Sequence, residues 1–280
     1  MSYTAIGERG YAAKITRNRI YELLREGRRI DGREPLEYRR ITVKTGVVEK
    51  ADGSAIVSLG STKILTGVKV EVGSPYPDRP NEGVFTVNAE LLPLASKSFE
   101  AGPPDERAVE LSRVVDRCLR ESHAIDLESL AIVKGEKVYM IYIDCYVLDY
   151  DGNYFDASVL SAVAALMSGS LPKYRVADGK VEKVEGERIP IPLKTIPVSV
   201  TIGLIKDMLL VDPIPIEENV VDTSIIAGYT SDSVVAALQK NTPGFMPVDL
   251  LKKALEIGKL KSQELRGKLL ESLGHALEKQ

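Results

Sequence analysis

Two groups of residues in this chain have the types and spacing to do chemistry. The first is the stretch Asp151-Gly152-Asn153-Tyr154-Phe155-Asp156. An Asp-Gly turn that opens a helix aims unpaired N–H groups and the positive end of a helix dipole at whatever occupies the turn, which suits an anion. Asp156 or Ser158 can cap that helix by accepting from those N–H groups. Yet no Lys or Arg stands between Asp149 and Met167. The stretch has the scaffold of a phosphate site without the cation that a bound phosphate needs. The second group is Arg113, Arg117 and Arg120, at i, i+4 and i+7, with Arg107 ahead of them. At helical spacing they form one stripe. A row of rigid guanidinium forks can grip successive phosphates of a single strand. The same row can be a solvated face that pairs with Glu106 and Glu110.

Two further constellations carry weaker signals. Asp212 and Asp222 flank the run IPIEENVV. Such carboxylates can hold a metal or act as a general acid, or can simply mark an Asp-Pro turn and a strand end. The loop from Gly73 to Gly83 carries Tyr76, Asp78, Arg79 and Asn81 among three prolines. It can offer a ring and a cation to RNA, or be a rigid connection. The two histidines, His123 and His275, have no Ser or Cys partner in a recognisable arrangement, so a hydrolytic triad is not expected. Neither a GxxxxGK[ST] nor a GxGxxG loop occurs. No metal or cofactor is expected. Cys118 and Cys145 lack metal-ligand spacing and read as buried, reduced thiols.

These groups must be positioned by folded elements. Ile141, Ile143, Cys145 and Val147 alternate with Tyr142, Asp144, Tyr146 and Leu148, the period of a strand leading into the Asp151-Gly152 turn. The small-residue run to Met167 reads as the helix that follows. Residues 14–26 read as an amphipathic helix stopped at Gly27, and residues 28–33 as a polar connector. Residues 41–73 read as strands punctuated at Asp52-Gly53 and Gly60-Ser61, followed by a strand over 84–91. Pro103-Pro104 reads as the first turn of a helix to about Ser122. Residues 173–192, with Asp178-Gly179 and Glu185-Gly186, read as a hairpin. Strands are expected over 198–205 and 208–211, further strands or a strand-to-helix passage over 220–229 and 234–238, and a helix over 247–277 with a break near Gly258 or Gly267. Mixed blocks of this kind predict an α+β fold with helices covering one sheet face. The 37 basic and 40 acidic residues give a net charge of −3, so contact with nucleic acid must come from local patches. No run approaches the length of a membrane span, and a soluble cytoplasmic protein is expected.

The residues also carry a family likeness. IDGR at Ile30–Arg33, the meander ADGSAIVSLGSTKILTGVKVEV, the helix PPDERAVELSRVVDRCLR, the segment VLDYDGNYFDASVLSAVAALM and the run VDPIPIEENVVDTSI, in this order, resemble the RNase PH family. The likeness extends from about Arg19 to Ala276. It implies a ribosomal protein S5 domain 2-like (RNase PH-like) α+β fold with a mixed β-sheet and packed helices. It implies a domain over 31–280, with halves of about 31–195 and 196–280, behind an N-terminal helical extension over 1–30. Members form rings of six such units and degrade RNA from its 3′ end by phosphorolysis.

Active members read about DGG(T/S)R or DAGSR at the turn, where the hydroxyl, the arginine and backbone N–H groups hold the attacking phosphate. On that alignment Tyr154 stands at the hydroxyl and Phe155 at the arginine, after Asn153. Asp222 stands at the catalytic acid. The resemblance therefore implies a non-catalytic member that alternates with an active RNase-PH-like sister subunit in a trimer of heterodimers. Such rings carry a cap of S1/KH or zinc-ribbon RNA-binding subunits. The expected ligand is single-stranded RNA, held by Arg113 and Arg117 with Arg107 and Arg120 beside them. The alternative is a phosphate-dependent 3′-to-5′ exoribonuclease active by itself. A phenyl ring in place of a guanidinium loses transition-state stabilisation of about 3 kcal/mol or more, on the scale of one oxyanion-hole donor.

Overall fold

The structure is a computed structural model that describes residues 3–177 and 180–277, with side chains over 14–176 and 181–274. The Asp178-Gly179 turn and the side chain of His275 lie outside the described residues. Helix α1 (Tyr3–Arg25) leads to strands β1 (Ile41–Thr45), β2 (Gly53–Leu59), β3 (Thr62–Gly73) and β4 (Val84–Leu91). Helix α2 (Glu106–Glu121), strands β5 (Ala131–Val133) and β6 (Lys137–Asp149), and helix α3 (Tyr154–Met167) follow. The hairpin of β7 (Ser170–Ala177) and β8 (Lys180–Pro190) precedes β9 (Val198–Ile205), β10 (Met208–Val211) and the short helix α4 (Pro215–Glu218). Strands β11 (Thr223–Tyr229) and β12 (Val235–Lys240) and the long helix α5 (Val248–Leu277) complete the described elements.

One sheet runs β1-β2-β3-β6-β4, with β5 also on β6, and it is mixed because β4 lies parallel to β6. A second sheet runs β10-β9-β11-β12. The alternation along β6 is realised: Ile141, Ile143, Cys145 and Val147 are buried, while the residues between them are half-exposed. Both thiols are buried and free, and burial pushes each up to about 12.

Helices α2 and α3 cover the first sheet, as the α+β expectation has it, but α3 also packs on the second. It touches β2 and β3 of the first sheet and β9 of the second. Every residue from Tyr154 to Leu166 is buried. Small side chains allow that approach; a Cβ on Gly53 would stand 2.4 Å from the Ala165 carbonyl oxygen. Full burial of each of Val159, Leu160 and Val163 stabilises the sandwich by about 1.5–3 kcal/mol.

Three local expectations are also corrected. The cap of α3 is Asn153, not Asp156 or Ser158, since its side-chain oxygen accepts from the Asp156 N–H. Pro103 and Pro104 precede α2; Asp105 caps it by accepting from the Ala108 N–H at 2.9 Å. Helix α5 runs unbroken through Gly258 and Gly267. Gly258 serves a close approach instead: a Cβ there would lie 2.1 Å from the Tyr229 hydroxyl, which donates to the Leu255 carbonyl at 2.9 Å.

Residues 28–33, read as a polar connector, hold a buried anchor. The Arg29 side chain has no solvent exposure and forms a two-pronged ion pair with Glu217. It also donates to the carbonyls of Val211 and Asp212 at 2.8 and 2.9 Å. Helix α1 packs Ile20 and Leu24 on Ile205, Leu210 and Val220 of the second sheet region. Among the described residues no helix is long and apolar enough to cross a membrane.

Candidate functional site

The turn between β6 and α3 is built for tight contact. Asn153 is left-handed, with φ of 49°. Gly152 also has positive φ, and a Cβ on it would meet the Pro213 carbonyl oxygen at 2.5 Å. The Asn153 side chain donates to Asp156 at 2.8 Å and to Asp212 at 2.9 Å. Thr62 donates to the Gly152 carbonyl at 2.7 Å and accepts from the Asp151 N–H at 3.0 Å.

A cation does reach the turn, from outside the stretch between Asp149 and Met167. Arg39, just ahead of β1, donates to the carbonyls of Asp151 and Gly152 and to both carboxylate oxygens of Asp212. Burial pushes the Asp212 carboxyl up, but the Arg39 guanidinium prevails and holds it below the usual carboxylate range. Arg39 is thus consumed by its own chain, with only 9% of its side chain exposed.

An anion also reaches the turn. The Asn153 N–H donates to Glu218 Oε1 at 2.8 Å, and the Tyr150 hydroxyl donates to Glu218 Oε2 at 2.5 Å. The donor that would face a bound phosphate is satisfied by a carboxylate of the same chain. Burial raises the Glu218 carboxyl, against the Tyr150 and Asn153 hydrogen bonds. Phe155 is buried in the core and stacks on Tyr154 with ring centroids 4.6 Å apart. Behind the turn, Asp156 is fully buried and receives hydrogen bonds from Tyr38, Asn153, Ser199 and Thr201. Burial pushes it up to about 6, against those donors.

The structure separates the two aspartates that the sequence set side by side. Asp212 lies under the turn, with Arg33, Arg39 and Asn153 as partners. Asp222 faces the other way: it pairs with Arg17 of α1 and accepts from the Lys206 N–H at 2.6 Å. The two share no partner. Among the described residues no group of three or more His, Cys, Asp or Glu side chains is placed to hold a metal ion.

Arg113, Arg117 and Arg120 of α2 line a cleft of about 490 Å³. Tyr76 and Arg79 of the proline-rich loop line the same cleft, so two features read separately in the sequence form one surface. The four arginines differ in availability. Arg113 is exposed and makes no hydrogen bond or ion pair among the described residues. Arg117 donates to Gln239 of β12 at 2.8 Å. Arg120 pairs with Asp116 at 2.7 Å and stacks over the Phe85 ring at 4.1 Å. Arg107 lies apart, along a second cleft lined by residues of the 92–105 loop, where it pairs with Asp105 and stacks over Phe99. None of the four is paired with Glu106 or Glu110. Gln239, Arg39 and Glu218 were not foreseen; their roles depend on contacts between elements far apart in the chain.

Comparison with known proteins places this geometry. Residues 37–172 match the profile described as "3' exoribonuclease family, domain 1", and residues 195–260 match its domain 2. The "Exosome complex component Rrp42" of Methanopyrus kandleri is 49% identical over 91% of this chain and 95% of its own length. The protein of the same name from Thermococcus gammatolerans is 48% identical over 94% and 97%. A solved chain described as "archaeoglobus fulgidus exosome with RNA bound to the active site" superposes with a TM-score of 0.83 at 43% identity, covering 92% of this chain and 99% of that one. A chain from an "Archaeal exosome core" gives 0.80 at 39% identity, over 92% and 98%.

Proposed function

The chain belongs to the RNase PH family of 3′ exoribonucleases, and from that premise we propose that it is a non-catalytic, RNA-binding subunit of an exosome core ring. In this reading it alternates with an active RNase-PH-like subunit as a trimer of heterodimers, below a cap of S1/KH or zinc-ribbon subunits, in the cytoplasm. Its near-complete overlap with chains named for the exosome supports the assembly. Arg113, with no hydrogen-bond or ion-pair partner among the described residues, and Arg117 hold the phosphates of single-stranded RNA on its way to the partner's active site. Arg120 and Arg107, already paired within the chain, contribute less.

The observation that carries the non-catalytic reading is Glu218 at the turn. Inorganic phosphate bears between one and two negative charges at neutral pH. Two unit charges about 4 Å apart repel by about 4 kcal/mol at an effective dielectric near 20. A carboxylate bonded to the Asn153 N–H, with Phe155 where a guanidinium is needed, therefore turns phosphate away. Asp222, neutralised by Arg17, ties α1 to the second sheet in this reading and does not act as an acid.

The test is phosphate binding by the purified chain, followed by phosphorus NMR and calorimetry at millimolar phosphate. No saturable binding is expected. Saturable binding by the wild-type chain that is lost on mutation of the turn would refute the closed turn.

A further inference from the structure

Beside the closed turn lies a cavity of about 100 Å³, whose lining includes Tyr150, Tyr154, Phe155, Glu218, Ser224 and Asn241. Its charge runs opposite to that of a phosphate pocket. Five carboxylates gather near the start of α3: Asp151, Asp156, Asp212, Glu217 and Glu218. Three guanidiniums answer them: Arg29 binds Glu217, Arg33 and Arg39 bind Asp212, and Arg39 also binds Asp151. Glu218 and Asp156 have no ion-pair partner among the described residues. The α3 dipole, equivalent to about half a positive charge, offsets only part of that excess. Of the two unpaired acids, Glu218 lines the cavity.

The cavity also offers acceptors in want of a donor. Each Glu218 carboxylate oxygen accepts one hydrogen bond, from Tyr150 or from Asn153, which leaves further lone pairs. Tyr154 is nine-tenths buried, and its hydroxyl makes no hydrogen bond among the described residues. The side chains of Ser224 and Asn241 likewise make none among them. The rings of Tyr150, Tyr154 and Phe155, with neighbouring centroids 5.6 and 4.6 Å apart, supply faces whose quadrupole attracts cations. A cavity of about 150 Å³ accommodates benzene, so this smaller one takes a compact head group. One carboxylate among aromatic faces suits a monovalent donor and not a divalent metal, which calls for several oxygen ligands.

We infer that this cavity binds a primary ammonium group, presented by a small free amine or by a lysine side chain of a neighbouring subunit. The ammonium's three N–H donors match the Glu218 carboxylate, the Tyr154 hydroxyl and the Ser224 or Asn241 side chain. The inference rests on the reading of the turn as closed to phosphate: the position where active relatives bind an anion has become a site for a cation.

The probe is methylammonium, titrated into the full chain and followed by the calorimetric unfolding midpoint against sodium chloride at matched ionic strength. A saturable rise beyond that of sodium chloride is expected. Tetramethylammonium, which has no N–H to donate, produces none. Glu218→Gln keeps an oxygen able to accept from the Asn153 N–H and an amide able to donate to the Tyr150 hydroxyl but loses the charge, and should raise the half-saturating concentration about tenfold. Tyr154→Phe should raise it less. Equal shifts with all three salts, or a half-saturation that neither variant moves, would overturn the inference; if Glu218→Gln does not fold, Tyr154→Phe alone decides. Repeating the titration on the ring assembled with the active subunit separates the sources. A shift confined to the free chain means that a neighbour's lysine fills the cavity, and a shift retained in the ring means that a free amine does. Phosphate binding by the wild-type chain would fail the closed-turn reading without touching these outcomes, so the two claims fail separately.

Discussion

Replacing Arg29 with alanine is expected to destabilise the chain by about 3–5 kcal/mol, the scale on which breaking one side of a buried ion pair operates. The side chains of Arg29 and Glu217 are both fully buried. Removing the guanidinium leaves the Glu217 charge without a counter-ion in a site that water does not reach. It also strips the carbonyls of Val211 and Asp212 of a donor at the point where β10 runs into the Asp212 turn. The effect should propagate to function, because Asp212 anchors Arg33, Arg39 and Asn153 together. Denaturant melts of Arg29→Ala and of an Arg29→Met, Glu217→Met double variant check the cause. If uncompensated charge dominates, the double variant recovers much of the loss, since a buried pair replaced by apolar residues is often neutral or better. A loss below about 1 kcal/mol in Arg29→Ala would mean that the pair is not buried as described.

Charge reversal at Arg113 and Arg117 carries the second large effect. The double variant Arg113→Glu, Arg117→Glu, assembled with its partner, should bind single-stranded RNA about a hundredfold more weakly, because like charges juxtaposed across an interface cost several kcal/mol. Each lost phosphate contact should also flatten the log–log salt dependence by about 0.7, so about 1.4 for the pair. The loss should be nearly independent of RNA sequence, since phosphate contacts do not read bases. The structure adds an order within the pair. Arg113 has no partner among the described residues, whereas Arg117 must first leave Gln239, so Arg113→Glu alone should account for the greater share. RNA affinity measured across a salt series, with assembly verified by size-exclusion chromatography, checks this. Unchanged affinity and slope in an intact ring would reduce the stripe to a solvated face.

What the sequence made legible follows from where each contact lies. The period of β6, the small-residue helix α3 and the spacing of the arginines on α2 are local patterns, and each appears in the structure where the pattern puts it. The lack of a Lys or Arg in the turn was also visible, because it is a property of one short run of consecutive residues. The charge state of that turn was not. Arg39 stands 112 residues ahead of Asp151, and Glu218 is 65 residues beyond Asn153. No periodicity links such positions. The cap of α3 was misassigned because several polar side chains near the turn could serve, and only the left-handed backbone of Asn153 selects among them. Gly258 was read as a break because glycine weakens helices; the structure gives it to the approach of Tyr229.

The central claim, that this chain completes a ring without itself cutting RNA, is tested most directly by nucleoside diphosphate release. Single-stranded RNA and inorganic phosphate are supplied to the purified chain, to the active RNase-PH-like partner, and to their assembled ring. The chain alone should release no diphosphates, and the ring should release them faster than the partner by itself, with the gain lost in the Arg113→Glu, Arg117→Glu ring. Phosphate-dependent release by the chain alone, abolished by Asp222→Ala, would contradict the account.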